Sequence, residues 1–197
     1  MAIDEVHDLQ FVFREILHTM SRPGEIQSLR KLEGKNDLDL PLHDATLFTL
    51  LTLFDAEVSF HVLPRAENQV AGKISAYTLA SHTTLAKADF IIVLPDATEA
   101  EITEALEICK KGTLIAPHRA ATFIIDTDFT ERNITVRLTG PGIKEQTMLH
   151  TLSNNIWEAR NTTVTEFPLG VDLILTDSNM QLACVPRTTN VEVMEVE

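Results

Sequence analysis

Seven histidines stand at positions 7, 18, 43, 61, 82, 118 and 150, and their spacing limits what they can do together. No two are four residues apart, so no helix can aim a pair of imidazoles at one ion, and neither Cys-x-x-Cys nor His-Glu-x-x-His occurs. They read as scattered surface and core histidines, with no metal site. Cys109 and Cys184 lie in the apolar stretches LEICKK and QLACVP with no histidine close by, and read as packing groups rather than nucleophiles. A Gly-x-Ser-x-Gly elbow, a Walker loop and a Gly-x-Gly-x-x-Gly fingerprint are all absent.

What remains are loops where glycine, proline and arginine coincide. Gly140-Pro141-Gly142 follows the strand-like ITVRLT and is read as leading into a helix, which would put it at the carboxyl end of a strand, where open α/β sheets place ligands. Its glycines serve either an anion cradle or a turn that needs glycine dihedrals, and Pro141 removes one N–H from the cradle. Asp172 is the one charge in the apolar run Val171 to Leu175, so it lies on a solvated face or is paired. Arg187-Thr188-Thr189 closes the last apolar strand. A guanidinium with two hydroxyls suits a phosphate or phosphonate oxygen, and suits a partner's carboxylate or backbone equally well. Arg14, Arg22 and Arg119 stand alone and read as structural.

The elements that must position these residues follow from periodicity. Val6, Leu9, Phe13, Ile16, Leu17 and Met20 recur at helical steps over Asp4 to Met20, and the helix is stopped by Ser21-Arg22-Pro23-Gly24. A nearly enclosed helix is expected from about Leu42 to Asp55, and another opens with the capping box Thr98-x-x-Glu101 and closes at Lys110-Lys111-Gly112. Strands are expected at Val58 to Leu63, Ala88 to Leu94, Thr113 to Ala116, Thr122 to Asp126 and Ile134 to Leu138. A helix around Glu145 to Glu158 follows, then a hairpin of Val171 to Thr176 and Met180 to Val185. Gly72 to Ala86 fits neither template. The alternation predicts an α/β protein, a three-layer α/β/α arrangement with a mixed sheet.

Composition bounds the function. The 197 residues fit one domain, 1–197, without a repeat or linker, and 44% hydrophobic against 23% charged residues is globular. A net charge of -13 excludes broad basic recognition of nucleic acid or anionic membrane, so an anionic ligand would depend on a few focused cations. The N-terminus is acidic and no apolar run reaches the roughly 20 residues of a membrane span, which predicts a soluble, cytoplasmic protein with reduced thiols.

Five landmarks in order carry a resemblance: Phe13-Arg14-x-x-Leu17 with Met20-Ser21-Arg22-Pro23-Gly24; Gly112-Thr113 with Ala121-Thr122; Leu138-Thr139-Gly140-Pro141-Gly142-Ile143; Phe167-Pro168-Leu169-Gly170-Val171-Asp172-Leu173-Ile174-Leu175; and Pro186-Arg187-Thr188-Thr189. Over essentially the whole chain they resemble the PhnH subunit family of the bacterial carbon-phosphorus lyase system. The resemblance implies a fold related to the large domain of pyridoxal-phosphate (PLP)-dependent transferases with the cofactor machinery lost. It also implies a homodimer that joins PhnG, PhnI and PhnJ. With PhnG, PhnI and PhnL, such a subunit supports displacement of the adenine of ATP by an alkylphosphonate, giving α-D-ribose 1-alkylphosphonate 5-triphosphate.

The family's catalytic centres are placed on PhnI and PhnJ, and it offers no catalytic residue to carry over; Arg22, Arg119 and Pro141 sit inside the motifs at positions without one fixed residue. No cofactor is expected. None of the lysines at 31, 35, 73, 87, 110, 111 and 144 lies in a small-residue turn after an apolar strand, as a Schiff-base lysine would. The ligand or partner-binding candidates are therefore Arg187, Thr188, Thr189, Gly140, Gly142 and Asp172. Arg187 is expected to leave the core after Pro186 and to act through assembly. The alternatives are a transferase subunit that itself binds nucleotide or phosphonate, and a stand-alone enzyme on a PLP-type fold.

Overall fold

Strands apolar at every position must be buried on both faces. The computed structural model, which describes residues 3–36, 38, 40–64, 68–129, 134–164 and 166–194, places such strands at the centre of a seven-stranded sheet. In chain order the elements are α1 (His7–Ser21), β1 (Gln27–Ser28), α2 (Asp44–Leu53), β2 (Ser59–Leu63), α3 (Asn68–Thr78), β3 (Ser81–His82), β4 (Phe90–Val93) and α4 (Glu99–Ile108). There follow β5 (Thr122–Asp126), β6 (Thr135–Thr139), β7 (Thr147–His150), α5 (Asn154–Thr163), β8 (Asp172–Thr176), β9 (Gln181–Val185) and β10 (Asn190–Val193).

The large sheet runs β1-β9-β8-β5-β4-β2-β3, and β9 alone is antiparallel to its neighbours. Its register stacks Ile92, Ile124, Ile174 and Cys184 in one row across four strands. Because successive side chains face opposite ways, that row packs under α1, α2 and α3, whereas Val93, Ile125, Leu175 and Ala183 pack under α4 and α5. Two apolar layers thus sandwich the sheet, a mixed α/β architecture with helices on both faces.

Beside α5 lies a second, three-stranded antiparallel sheet, β10-β6-β7, whose Val136, Leu138, Leu149 and Val191 join the same core as Trp157. Trp157 is fully buried and donates its indole N–H to Thr151 O at 2.9 Å, which ties α5 to the end of β7. The α4 capping box is present, with Thr98 Oγ1 accepting from the Glu101 N–H and Glu101 accepting from the Thr98 N–H. As its composition requires, α2 buries residues 45–50 without a break.

Two expectations are corrected. The helix expected over Glu145 to Glu158 is a strand, β7, followed by α5 starting at Asn154; Val136 and Leu149 pair across β6 and β7, a long-range partnership that outweighs local helical spacing. Thr113 to Ala116 is no strand but a turn closed by paired Thr113 and Ala116 backbone bonds, because Gly112 at φ 76 reverses the chain before it. Within Gly72 to Ala86, which fits neither template, α3 extends to Thr78 and β3 follows. No described helix is long and apolar enough to cross a membrane.

Both cysteines are buried and free, and burial pushes the Cys109 thiol up to about 11 and the Cys184 thiol up to about 12. In native buffer at mild alkaline pH, a disulfide reagent should therefore label neither thiol at the rate of a free one, and both should react once denaturant is added. Fast labelling of the native chain would contradict this burial.

Candidate functional site

Arg187 follows Pro186 at the end of β9, and Asp172 opens the neighbouring β8, so the hairpin brings them side by side. The Asp172 carboxylate accepts from the Arg187 backbone N–H at 2.7 Å, from Nε at 3.2 Å and from Nη2 at 2.5 Å, while Nη1 donates to Pro117 O. Their side chains are only 17% and 15% exposed. This corrects the expectation that the guanidinium leaves the core after Pro186: a carboxylate in the adjacent strand holds it in.

The rest of the motif packs around this pair. Gly140, at φ 126, lets the chain approach so closely that a Cβ there would stand 3.2 Å from Thr188 O. At Gly142, φ is 86 and a Cβ would collide with Ser21 O and with Pro23, so this glycine marks where the turn after β6 meets the stop of α1. This turn leads into β7, not into a helix, and it belongs to the small sheet rather than to the carboxyl ends of the parallel strands. Thr188 is half-buried, and Thr189 is buried with its hydroxyl unpartnered among the described residues. Gly170 N–H donates to Lys111 O, and Gly24 N–H to Cys184 O. Five sequence motifs thus form one interlocked joint at the amino-terminal edge of the parallel strands.

A residue that sequence reasoning missed holds this joint from beneath. Arg160 on α5 is 1% exposed, and its guanidinium donates to Pro186 O at 2.7 Å and to Thr189 O at 2.9 Å. Burial pulls its pKa down to about 10, against an opposing attraction from Asp172. Its sequence context, WEARNTT, looks like a polar helix face. The one signal was that Trp157 and Arg160 are three apart and so share a face.

The carboxyl edge of the sheet holds a different arrangement. Alternation along β5 sends Asp126 to the same face as Ile124, toward α2, and His43 is the residue just before that helix. Asp126 Oδ1 accepts from His43 Nδ1 at 2.5 Å and Oδ2 accepts the His43 backbone N–H at 2.8 Å. The Asp126 side chain is fully buried and that of His43 is 40% exposed. One register step along, Thr46 and Thr176 hydroxyls meet at 2.7 Å, fixing the start of α2 to the strand ends. His43 and Asp126 border a cavity of about 350 Å³, completed by Glu99, Asp128, Ser153 and apolar residues of β4, α4 and α5. The sequence signal was a charged residue closing an apolar strand, Phe-Ile-Ile-Asp; the histidine lies 83 positions away.

The family "Bacterial phosphonate metabolism protein (PhnH)" matches residues 2–192. The chain belongs to the PhnH family. Its relatives include HtxG of Stutzerimonas stutzeri, whose name makes it a C-P lyase subunit, 29% identical over 92% of this chain and 85% of that protein. Another is the alpha-D-ribose 1-methylphosphonate 5-triphosphate synthase subunit PhnH of Rhizobium meliloti (strain 1021), 27% identical over 96% of this chain and 92% of that protein. The PhnH match spans all five motifs of the joint.

Three substitutions test the joint. Arg187→Ala leaves Asp172 uncompensated and should cost about 3 kcal/mol, roughly a 10 °C lower melting temperature. Combined with Asp172→Ala, the loss should be clearly less than the sum of the single losses. Additive losses in calorimetry would mean that the pair is not coupled. Gly142→Ala should lower stability by about 2 kcal/mol or more in urea unfolding, because the positive φ and the Ser21 carbonyl both oppose a Cβ.

Proposed function

We propose that this chain is a structural, site-shaping subunit of the carbon-phosphorus lyase machinery. In this reading it supports formation of α-D-ribose 1-alkylphosphonate 5-triphosphate from ATP and an alkylphosphonate. It works as a single-domain homodimer assembled with PhnG, PhnI, PhnJ and PhnL in the cytoplasm, on a fold related to the PLP-dependent transferases but lacking the PLP site. Family membership and the names of both relatives support the setting.

The observation that carries the structural role is that the arginines of the joint are already engaged. Arg187 is held by Asp172 and Pro117 O, and Arg160 by the carbonyls of Pro186 and Thr189, so neither guanidinium presents itself to a phosphonate or a triphosphate. What these residues do is make the loops around them rigid. Those loops expose apolar groups: Ile115 is 96% exposed, Phe167 74% and Leu114 59%, on the segments joined through Pro117 to Arg187 and through Gly170 to Lys111. Large apolar side chains held in water by a rigid frame favour burial against a partner.

Co-expression of the tagged full-length chain with its partner subunits tests this reading. The wild type should co-purify with them, and Ile115→Glu with Phe167→Glu should lose them while melting within about 1 °C of the wild type, as exposed substitutions do. Purification of the wild type without any partner subunit would overturn the reading.

A further inference from the structure

The cavity at the carboxyl edge takes no part in the joint, and its chemistry differs. Asp126 is a carboxylate that can only accept, so His43 Nδ1 carries the proton between them, and in the tautomer this selects Nε2 is the acceptor. Among the described residues Nε2 has no partner, and with Asp126 gripping both the ring and the backbone N–H of His43, the ring cannot easily turn away. Across the cavity Ser153 caps α5 by position yet makes no capping bond, and its buried Oγ is unpartnered among the described residues. Ser153 Oγ is thus a buried group without the hydrogen bond such groups normally make, and His43, whose side chain is 40% exposed, presents Nε2 beside the same hollow.

The surrounding charge determines which ligand could supply those bonds. The amino-terminal ends of α2, α4 and α5 converge here, and by themselves they would attract an anion. Each has a carboxylate of the chain beside it: Asp126 accepts the backbone N–H of His43, Glu101 that of Thr98 in the α4 capping box, and Glu99 the side-chain amide of Asn155 at the start of α5. The lining holds Glu99, Asp126 and Asp128 and, among the described residues, no lysine or arginine. Among the described lining residues an anion would meet three carboxylates and no cation. Leu94, Ile102 and Ile156 supply apolar wall, and about 350 Å³ is at the small end of sites for organic molecules.

We propose that this cavity is a binding site for a small uncharged heterocycle carrying an N–H or amino donor, which docks that donor on His43 Nε2 and lays its ring against the apolar wall. Asp126 is a positioning residue that sets the ring's tautomer and direction. Phosphate and phosphonate groups are excluded from the hollow. The proposal goes beyond the subunit reading and does not depend on it, since binding to the isolated full-length chain is measured without any partner.

The test is imidazole and amide NMR of the full-length chain, with His43 assigned through His43→Gln, using adenine and cytosine as probes. At least one should shift the His43 Nε2 signal and the Ser153 and Ile156 amides saturably, with a dissociation constant of about 1 mM or better. His43→Gln, at a half-exposed side chain, should weaken binding at least about tenfold, or about 1.4 kcal/mol. Asp126→Asn should do the same and is read only where its melting curve is intact. Inorganic phosphate and methylphosphonate should leave these signals in place. No saturable shift from either heterocycle, unchanged affinity in His43→Gln, or saturation of the same signals by phosphate would each overturn the proposal.

Discussion

The β8–β9 hairpin is closed by one ion pair, Arg187 to Asp172, and much of the amino-terminal edge of the sheet is organised around it. β9 is the antiparallel strand of the large sheet, so its end returns to the start of β8, and the chain must there leave an apolar core through a crowded edge. A carboxylate at the first position of β8 and a guanidinium just past β9 resolve this without exposing either strand. The same arginine reaches Pro117, and Gly170 reaches Lys111, so two loops far apart in sequence are fixed relative to one hairpin. Such a pair adds less to net stability than an equal volume of hydrocarbon would, since two charges must be desolvated. What it supplies is direction: a planar fork accepts only one arrangement of the groups around it.

Arg160 makes the point more sharply. No carboxylate forms an ion pair with it among the described residues, and it is held by main-chain carbonyls of the turn that carries Arg187. Burying a cation this way is costly, which its lowered pKa records. A hydrocarbon side chain would pack at less cost but would leave the Pro186 and Thr189 carbonyls unsatisfied. The conformation of the turn, rather than the stability of the helix, is what this residue maintains.

The central strands and α4 were legible because their signals are local: unbroken apolar runs in β4, β5, β8 and β9, and a capping box whose two partners are three residues apart. β7 was not, because Met148, Leu149, Leu152 and Ile156 fall at helical steps and the strand exists only through β6, a partner invisible to a local window. The candidate site was legible in part. Glycine and arginine motifs identified the joint, but its chemistry turned on which carboxylate reached Arg187, and an extended strand pattern does not say whether Asp172 faces solvent or its neighbour. His43 gives no local signal, because spacing among histidines speaks only to metal binding and its partner is a carboxylate at the end of β5.

The two edges of the sheet now divide the chain's charges in a way its net charge alone does not reveal. With 16 cations against 29 acids, a basic site has few cations to draw on. Arg187 is held by Asp172, Lys110 by Asp89, Lys35 by Asp8 and Arg137 by Glu192, so many of the cations are balanced locally. The most enclosed of these, Arg187 and Lys35, hold loops in place and cannot turn outward without breaking the contacts that position them. A polyanion such as a nucleoside triphosphate therefore meets a chain whose net charge of -13 is its own sign. The sheet's two edges thus offer loops fixed by ion pairs on one side and, on the other, a hollow lined by Glu99, Asp126 and Asp128.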